Sequence, residues 1–266
     1  MTLNFYKYQG AGNDFIVLDG RSPLPILQTE QIEALCHRRT GIGADGLMIL
    51  QLHTDYDFEM KYFNADGREG SLCGNGGRCL TRFASDIGIK KKEFRFLATD
   101  GAHEARIADN GWIHLHMLPV HSIVQRGYDS ILHTGSPHYI KMVENIDTYP
   151  VVEEGKKIRY NQEFSGQGIN VNFVQRTANG LIVRTYERGV EDETLSCGTG
   201  VTAAALACAN TNREHQITPI FTRGGELAVK FMRKGETSFD DIWLCGPAQR
   251  VFTGTIDLHS LSIPKK

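Results

Sequence analysis

The chain has 266 residues, 41% of them hydrophobic and 23% charged, a profile that excludes disordered and fibrous proteins. Lys and Arg number 29 against 31 Asp and Glu, so a net charge of −2 gives no global field toward nucleic acid or an anionic membrane. Six cysteines, none in a CxxC pair, exclude a disulfide scaffold and a zinc ribbon. The N-terminus lacks a charged stretch followed by an apolar one, and no run nears the roughly 18 to 20 apolar residues that span a bilayer. A cytoplasmic location is therefore expected.

Along the chain, a helix is expected over residues 29–38, followed by the glycine loop Gly41-Ile42-Gly43-Ala44-Asp45-Gly46 and a strand over 47–52. The loop fits G-x-G-x-x-G, but a nucleotide site needs the strand before it and the helix after it; here the order is reversed, and a plain turn is the better reading. A strand over 58–63 leads to Glu69-Gly70-Ser71-Leu72-Cys73-Gly74-Asn75-Gly76 and a helical stretch over 78–87. Strand patterns follow at 94–97 and 112–118. His114 and His116 share a strand face without a third ligand at suitable spacing, so no metal site is expected. Further strands are read at 172–175 and 181–186. Then Glu193-Thr194-Leu195-Ser196-Cys197-Gly198-Thr199-Gly200 precedes a helical stretch over 201–209, and strands follow at 226–232 and 242–245.

Both cysteine segments fit E-x-x-x-C-G-x-G, each between a strand and a helix, and the cysteines stand 124 residues apart, nearly half the chain. The pattern predicts an α+β protein made of two pseudo-symmetric domains, with Pro119 marking the crossover. Glycines at a helix start let backbone amides converge on an anion, and the same helix end stabilises a thiolate. Two such loops facing each other across an interdomain cleft would place one carbon between two sulfurs. One thiolate could then remove an α-proton while the opposite thiol returns a proton to the other face. A single Cys with His138 as its base would suit a hydrolase but leaves the duplication unexplained.

Gly10-Ala11-Gly12-Asn13-Asp14-Phe15, Asn64-Ala65-Asp66-Gly67, Cys73-Gly74-Asn75-Gly76-Gly77-Arg78-Cys79, Tyr186-Glu187-Arg188-Gly189 and Cys197-Gly198-Thr199-Gly200 resemble the signatures of the diaminopimelate epimerase family. The related proline racemases share the Cys-Gly loops but lack the Asn-Asp-Phe and Glu-Arg-Gly signatures. The resemblance implies two domains, residues 1–118 with 254–266 and residues 119–253, each a barrel-like sheet wrapped on a central helix. It implies a pyridoxal-independent epimerase, needing no cofactor, that interconverts LL- and meso-diaminopimelate for lysine and peptidoglycan precursors. Cys73 and Cys197 would be the acid/base pair. Gly74, Asn75, Gly198 and Thr199 would hold the reacting carboxylate, and Asn13, Asn64, Asn170, Glu187 and Arg188 the rest of the substrate. His138 and Glu187 would tune the thiols and ammonium groups. The expected partner is the small-molecule substrate, with a homodimer as the expected assembly. Two positions depart from the family pattern: Ser136 stands where asparagine is common, and Gly46 where a polar residue, often glutamine, is found. Another amino-acid racemase, or an amino-acid-binding protein without catalysis, are the alternative readings.

Overall fold

The computed structural model describes residues 1–70 and 73–261. Ser71 and Leu72, within the first cysteine segment, and residues 262–266, at the end of the expected first domain, lie outside the described residues. The chain divides into two compact units, Met1–Leu115 joined by the segment from Pro247, and His116–Gly246.

The first unit opens with a hairpin of β1 (Thr2–Gly10) and β2 (Asn13–Asp19). Its two turn residues, Ala11 and Gly12, both take positive φ, 54° and 81°, the mirror-image turn whose twist suits a two-residue hairpin. Then come α1 (Thr29–Cys36), β3 (Gly46–Gln51), β4 (Phe58–Asn64), α2 (Gly74–Asp86), β5 (Glu93–Ala98), β6 (Gly101–Ile107) and β7 (Ile113–Met117). The second unit contains β8 (Ile123–Arg126), β9 (Asp129–His133), β10 (Pro137–Met142), α3 (Val151–Arg159), β11 (Asn170–Thr177) and β12 (Gly180–Glu187). It continues with β13 (Asp192–Thr194), α4 (Gly198–Ala207), β14 (His215–Thr222), β15 (Gly225–Arg233) and β16 (Phe239–Gly246). Strand β17 (Gln249–Asp257) then returns to pair with β1.

Strand pairing exposes the duplication directly. The first unit runs β17-β1-β2-β3-β4-β5-β6-β7, with the β2–β3 and β4–β5 steps parallel and the rest antiparallel. The second runs β8-β9-β10-β11-β12-β14-β15-β16, with β10–β11 and β12–β14 parallel and the rest antiparallel. The order of steps is the same. A parallel step needs a crossover, and α1 and α3 supply the first in each unit, α2 and α4 the second.

Each sheet curls around one helix. Strands β1, β2, β3, β6 and β17 all touch α2, and β9, β10, β11, β12, β14, β15 and β16 all touch α4. Helix α4 reads Gly-Thr-Gly-Val-Thr-Ala-Ala-Ala-Leu-Ala, small or apolar all round, which suits a helix enclosed on every side. Ala203, Ala204 and Ala205 are fully buried. Helix α2 instead encloses a fully buried arginine, Arg78, beside Cys79, Leu80 and Phe83.

Both central helices start earlier than their sequence pattern suggests, α2 at Gly74 and not at residue 78, and α4 at Gly198 and not at residue 201. Glycine costs about 1 kcal/mol against alanine inside a helix, so propensity hides a first turn that tertiary packing enforces. The cysteines are therefore the caps of the helices and not residues of a separate turn.

Candidate active site

Cys73 and Cys197 occupy the same local position. Each is extended (φ −91°, ψ 122° and φ −117°, ψ 113°) and each carbonyl accepts the first helical bond, from Gly77 N–H at 2.7 Å and from Val201 N–H at 2.9 Å. The sulfurs thus sit where the amides of the first turn lack helical partners. Neither first turn contains an acidic residue that would compete for that positive end. Cys73 is half-buried and Cys197 buried. The other four cysteines are buried, and burial pushes the thiols of Cys36 and Cys79 up to about 12, which makes them poor nucleophiles at neutral pH.

In the first unit, the tight β1–β2 turn delivers Asn13 to the start of α2. The Cys73 thiol donates to Asn13 Oδ1 at 3.6 Å, and Asn75 Nδ2 donates to the same oxygen at 3.3 Å. Gly10 keeps the hairpin close to the helix, because a Cβ there would lie 3.1 Å from Cys79 Sγ. Asn13 Nδ2 donates to Asp45 Oδ2 at 2.5 Å. Arg38 bonds Asp45 at 2.6 Å and Asp14 at 2.7 Å, and Lys7 pairs with Asp14 at 2.6 Å. The Arg38 and Lys7 cations hold the Asp14 carboxyl below its ordinary value, against the opposing effect of burial. Asn64 stands apart from this cluster, exposed at the end of β4 opposite Gly46. At the second departure from the family pattern, a Cβ on Gly46 would meet Phe63 O at 2.6 Å and Tyr62 Cε2 at 2.7 Å, so neighbours already fill that space.

In the second unit, Cys197 heads a chain of hydrogen bonds. Its Sγ lies 3.5 Å from Thr199 Oγ1, which lies 2.9 Å from His138 Nε2. On the far side of the ring, Asn172 Nδ2 is 3.0 Å from His138 Nδ1 and 3.2 Å from Tyr139 O, while Thr185 Oγ1 donates to Asn172 Oδ1 at 2.9 Å. A backbone carbonyl can only accept, so the Asn172 amide must turn its NH2 toward both Tyr139 and His138. Nδ1 accepts, and the ring proton resides on Nε2. Burial, with smaller contributions from His133 and Arg188, pushes His138 down to about 3, so the ring is neutral at physiological pH.

A further group surrounds Arg188. Asn170 Oδ1 accepts from the Arg188 backbone N–H at 2.9 Å, and Asn170 Nδ2 donates to Ser136 Oγ at 2.9 Å. The Arg188 guanidinium donates to Gln167 O at 2.9 Å and Ser136 Oγ at 3.3 Å, with its side chain exposed. Glu187 accepts from Thr194 Oγ1 at 2.8 Å. Ser136 thereby links Asn170 to Arg188.

Reading the sequence missed Asp45, Asn172 and Thr185. Asp45 was concealed in the glycine loop read as a turn, which it is; the loop folds back on α1 and carries the carboxylate to Asn13. Asn172 and Thr185 lie in strand patterns with nothing local to mark them.

A family model described as diaminopimelate epimerase matches residues 5–121 and 130–251. The chain is 46% identical over 258 residues to a protein named diaminopimelate epimerase from Flavobacterium psychrophilum, covering 96% of this chain and 100% of that one. It is likewise 46% identical over 259 residues to a protein of the same name from Chlorobaculum tepidum, covering 94% and 99%. Among solved structures, a phenazine biosynthesis protein of the PhzF family from Bacillus anthracis matches with a TM-score of 0.75 at 14% identity, over 96% of this chain and 99% of that one. A hydroxyproline epimerase from Agrobacterium vitis matches with a TM-score of 0.67 at 14% identity, over 96% and 92%. At these identities the structures establish a shared fold, whereas the family model and the two close relatives establish descent: the chain belongs to the diaminopimelate epimerase family.

Proposed function

We propose that this protein inverts the α-carbon of LL-diaminopimelate to give the meso isomer, and the reverse, using Cys73 and Cys197 as the two proton-transfer groups. The observation that carries the reading is the pair of cysteines in the same cap position of two units with the same strand order. Inversion needs a base and an acid on opposite faces of one carbon, and a duplicated thiol supplies both. One sulfur, as thiolate, takes the α-proton. The electron pair left on the carbon spreads into the carboxylate, and the other thiol then gives its proton to the opposite face, becoming the thiolate for the reverse reaction. First-turn amides of Gly74, Asn75, Gly198 and Thr199 stabilise the charge that accumulates on the carboxylate. Asn13, Asn64, Asn170, Glu187 and Arg188 hold the remainder of the substrate, and His138 and Glu187 adjust the charged groups around it. No cofactor takes part in this scheme. A soluble cytoplasmic enzyme forming a homodimer completes the reading; no described helix is long and apolar enough to cross a membrane.

Incubation with LL-diaminopimelate in deuterium oxide tests it. The expected result is meso product carrying deuterium at one α-carbon. Deuterium uptake by other amino acids at comparable rates supports a general racemase instead, and binding without exchange supports an amino-acid-binding protein. Alanine at either Cys73 or Cys197 should reduce inversion by more than about 10³-fold with the fold intact by circular dichroism.

A further inference from the structure

Two side-chain amides join Arg78 to Asp45 in a directed chain. Arg78 donates to Asn75 Oδ1 at 3.0 Å, Asn75 Nδ2 donates to Asn13 Oδ1 at 3.3 Å, and Asn13 Nδ2 donates to Asp45 Oδ2 at 2.5 Å. A guanidinium has donors only and a carboxylate acceptors only. Those two ends force each amide to turn its oxygen toward Arg78 and its NH2 toward Asp45. Cys73 joins the chain at Asn13 Oδ1, 3.6 Å from its sulfur. We infer that Asp45 and Arg78 are positioning residues that fix the direction of the Asn75–Asn13 amide pair, so that Cys73 faces a carbonyl oxygen and never an NH2.

The direction has a chemical consequence. An oxygen acceptor favours the protonated sulfur, whereas an NH2 in the same place would favour the thiolate. At Cys197 the neighbour is a hydroxyl, which can serve either form. The two sulfurs therefore meet unlike partners, although their caps match.

The anchors are well held. Asp45 accepts from Arg38 at 2.6 Å and from the Asp14 backbone N–H at 3.2 Å, and its own N–H donates to Asp14 O at 2.9 Å. Arg78 is fully buried and also donates to Gly74 O at 3.4 Å. The charged groups around the amide pair are Lys7 from β1, Asp14 from β2, Arg38 and Asp45 from the segment after α1, and Arg78 from α2.

This inference rests on Cys73 being an acid/base sulfur, yet its test reads the titration of that sulfur and not turnover. Alkylation by iodoacetamide is followed across pH on the intact chain, with the Cys73 peptide resolved by mass spectrometry. Asn75→Ala cuts the link to Arg78, and adding Asp45→Asn gives the Asn13 amide a partner that can donate as well as accept, so in the double variant its direction is freed. Half-maximal alkylation of Cys73 should then fall by about one pH unit or more, a tenfold change in thiolate fraction. In the same Asn75→Ala background, Asp14→Asn removes a charge of the same sign from the same cluster without touching the Asn13 amide, and should move the midpoint by clearly less. Equal shifts in the two double variants show a field effect alone and overturn the inference, as does an unmoved midpoint in Asn75→Ala with Asp45→Asn. In the unmodified protein, nuclear Overhauser contacts from the Asn13 NH2 to the Asp14 amide proton give the same reading without any substitution. Contacts from that NH2 to the Cys73 methylene overturn it. Failure of the deuterium experiment together with the expected alkylation shift would reject the epimerase reading and leave the amide chain standing.

Discussion

Asn172 Nδ2 stands 3.0 Å from His138 Nδ1, and this contact decides where the single proton of a neutral imidazole resides. With Nδ1 accepting, Nε2–H donates to Thr199 Oγ1, and the Thr199 hydroxyl hydrogen is left free to turn toward Cys197. His138 is buried too deeply to act as a charged group, so under the proposed function it would serve the sulfur by orienting a hydroxyl.

Thr199→Val removes that hydroxyl at nearly constant volume. Inversion should slow by about 10- to 100-fold, about 1.4 to 2.7 kcal/mol, in line with one charge-assisted hydrogen bond. Thr199→Ser keeps the hydroxyl and should recover most of the rate. Loss in Thr199→Ser with none in Thr199→Val, measured by deuterium exchange at the α-carbon, would attribute the effect to packing of the threonine methyl.

The buried ring also imposes an acid liability. His138 sits at about 3 in the folded chain against 6.5 ordinarily, so the unfolded chain binds a proton that the native one refuses between those values. Stability contributed by the neutral ring is present above pH 6.5 and is lost as pH falls through the window, at up to about 1.4 kcal/mol per unit. Between about pH 7 and pH 5 the loss from this one group should reach roughly 2 kcal/mol. Urea unfolding of the wild type and His138→Gln at both pH values measures it, and the variant should lack this component.

Gly200 occupies the third position of α4, where a Cβ would fall 2.2 Å from Asn172 Oδ1. Two effects oppose each other in Gly200→Ala. Helix propensity favours alanine by about 1 kcal/mol, while overpacking a buried amide costs about 1 to 3 kcal/mol. The amide is held by Thr185 and cannot withdraw freely, so a net loss is expected. Displacement of Asn172 should also release the histidine tautomer, visible in the ring 15N shifts. A stabilised variant with an unchanged tautomer would show that the space is available.

Arg188 is exposed and already donates to Gln167 O and Ser136 Oγ, so its removal leaves no buried charge stranded. Arg188→Ala should therefore weaken kcat/KM for diaminopimelate by about 10- to 100-fold, roughly 1.4 to 2.7 kcal/mol, within the range for bonds to a charged group. Lysine, lacking the distal carboxylate, should be a poor substrate for the unmodified protein and should lose little more in the variant. Equal turnover of lysine and diaminopimelate by the wild type would remove Arg188 from recognition of the distal group.

What the sequence disclosed followed from repetition. Cys73 and Cys197 stood out because the same spacing of glutamate, cysteine and glycine occurs twice, each time between a strand pattern and a helical one. The first turns of α2 and α4 stayed hidden, because Gly74, Gly76 and Gly77 oppose a helix that the surrounding sheet nevertheless imposes. Asp45 and Asn172 were invisible for a different reason. Their partners lie 32 and 34 residues away, and a carboxylate or an amide in a strand or turn has no local pattern that announces what it will touch. Strand β17 was obscured as well, since its residues are mostly exposed and carry little apolar alternation.

The return of β17 to β1 has a consequence for biosynthesis. The second unit is continuous from His116 to Gly246, whereas the first needs residues on both sides of it, and the Met1 ammonium meets Asp257 at 2.8 Å. On the ribosome, domains ordinarily fold in the order in which they emerge. Here the first unit to emerge is the second to finish. Until translation has passed residue 257, β1 keeps an unpaired edge of the kind that recruits stray strands, so the nascent first unit is the segment for which a chaperone has most use.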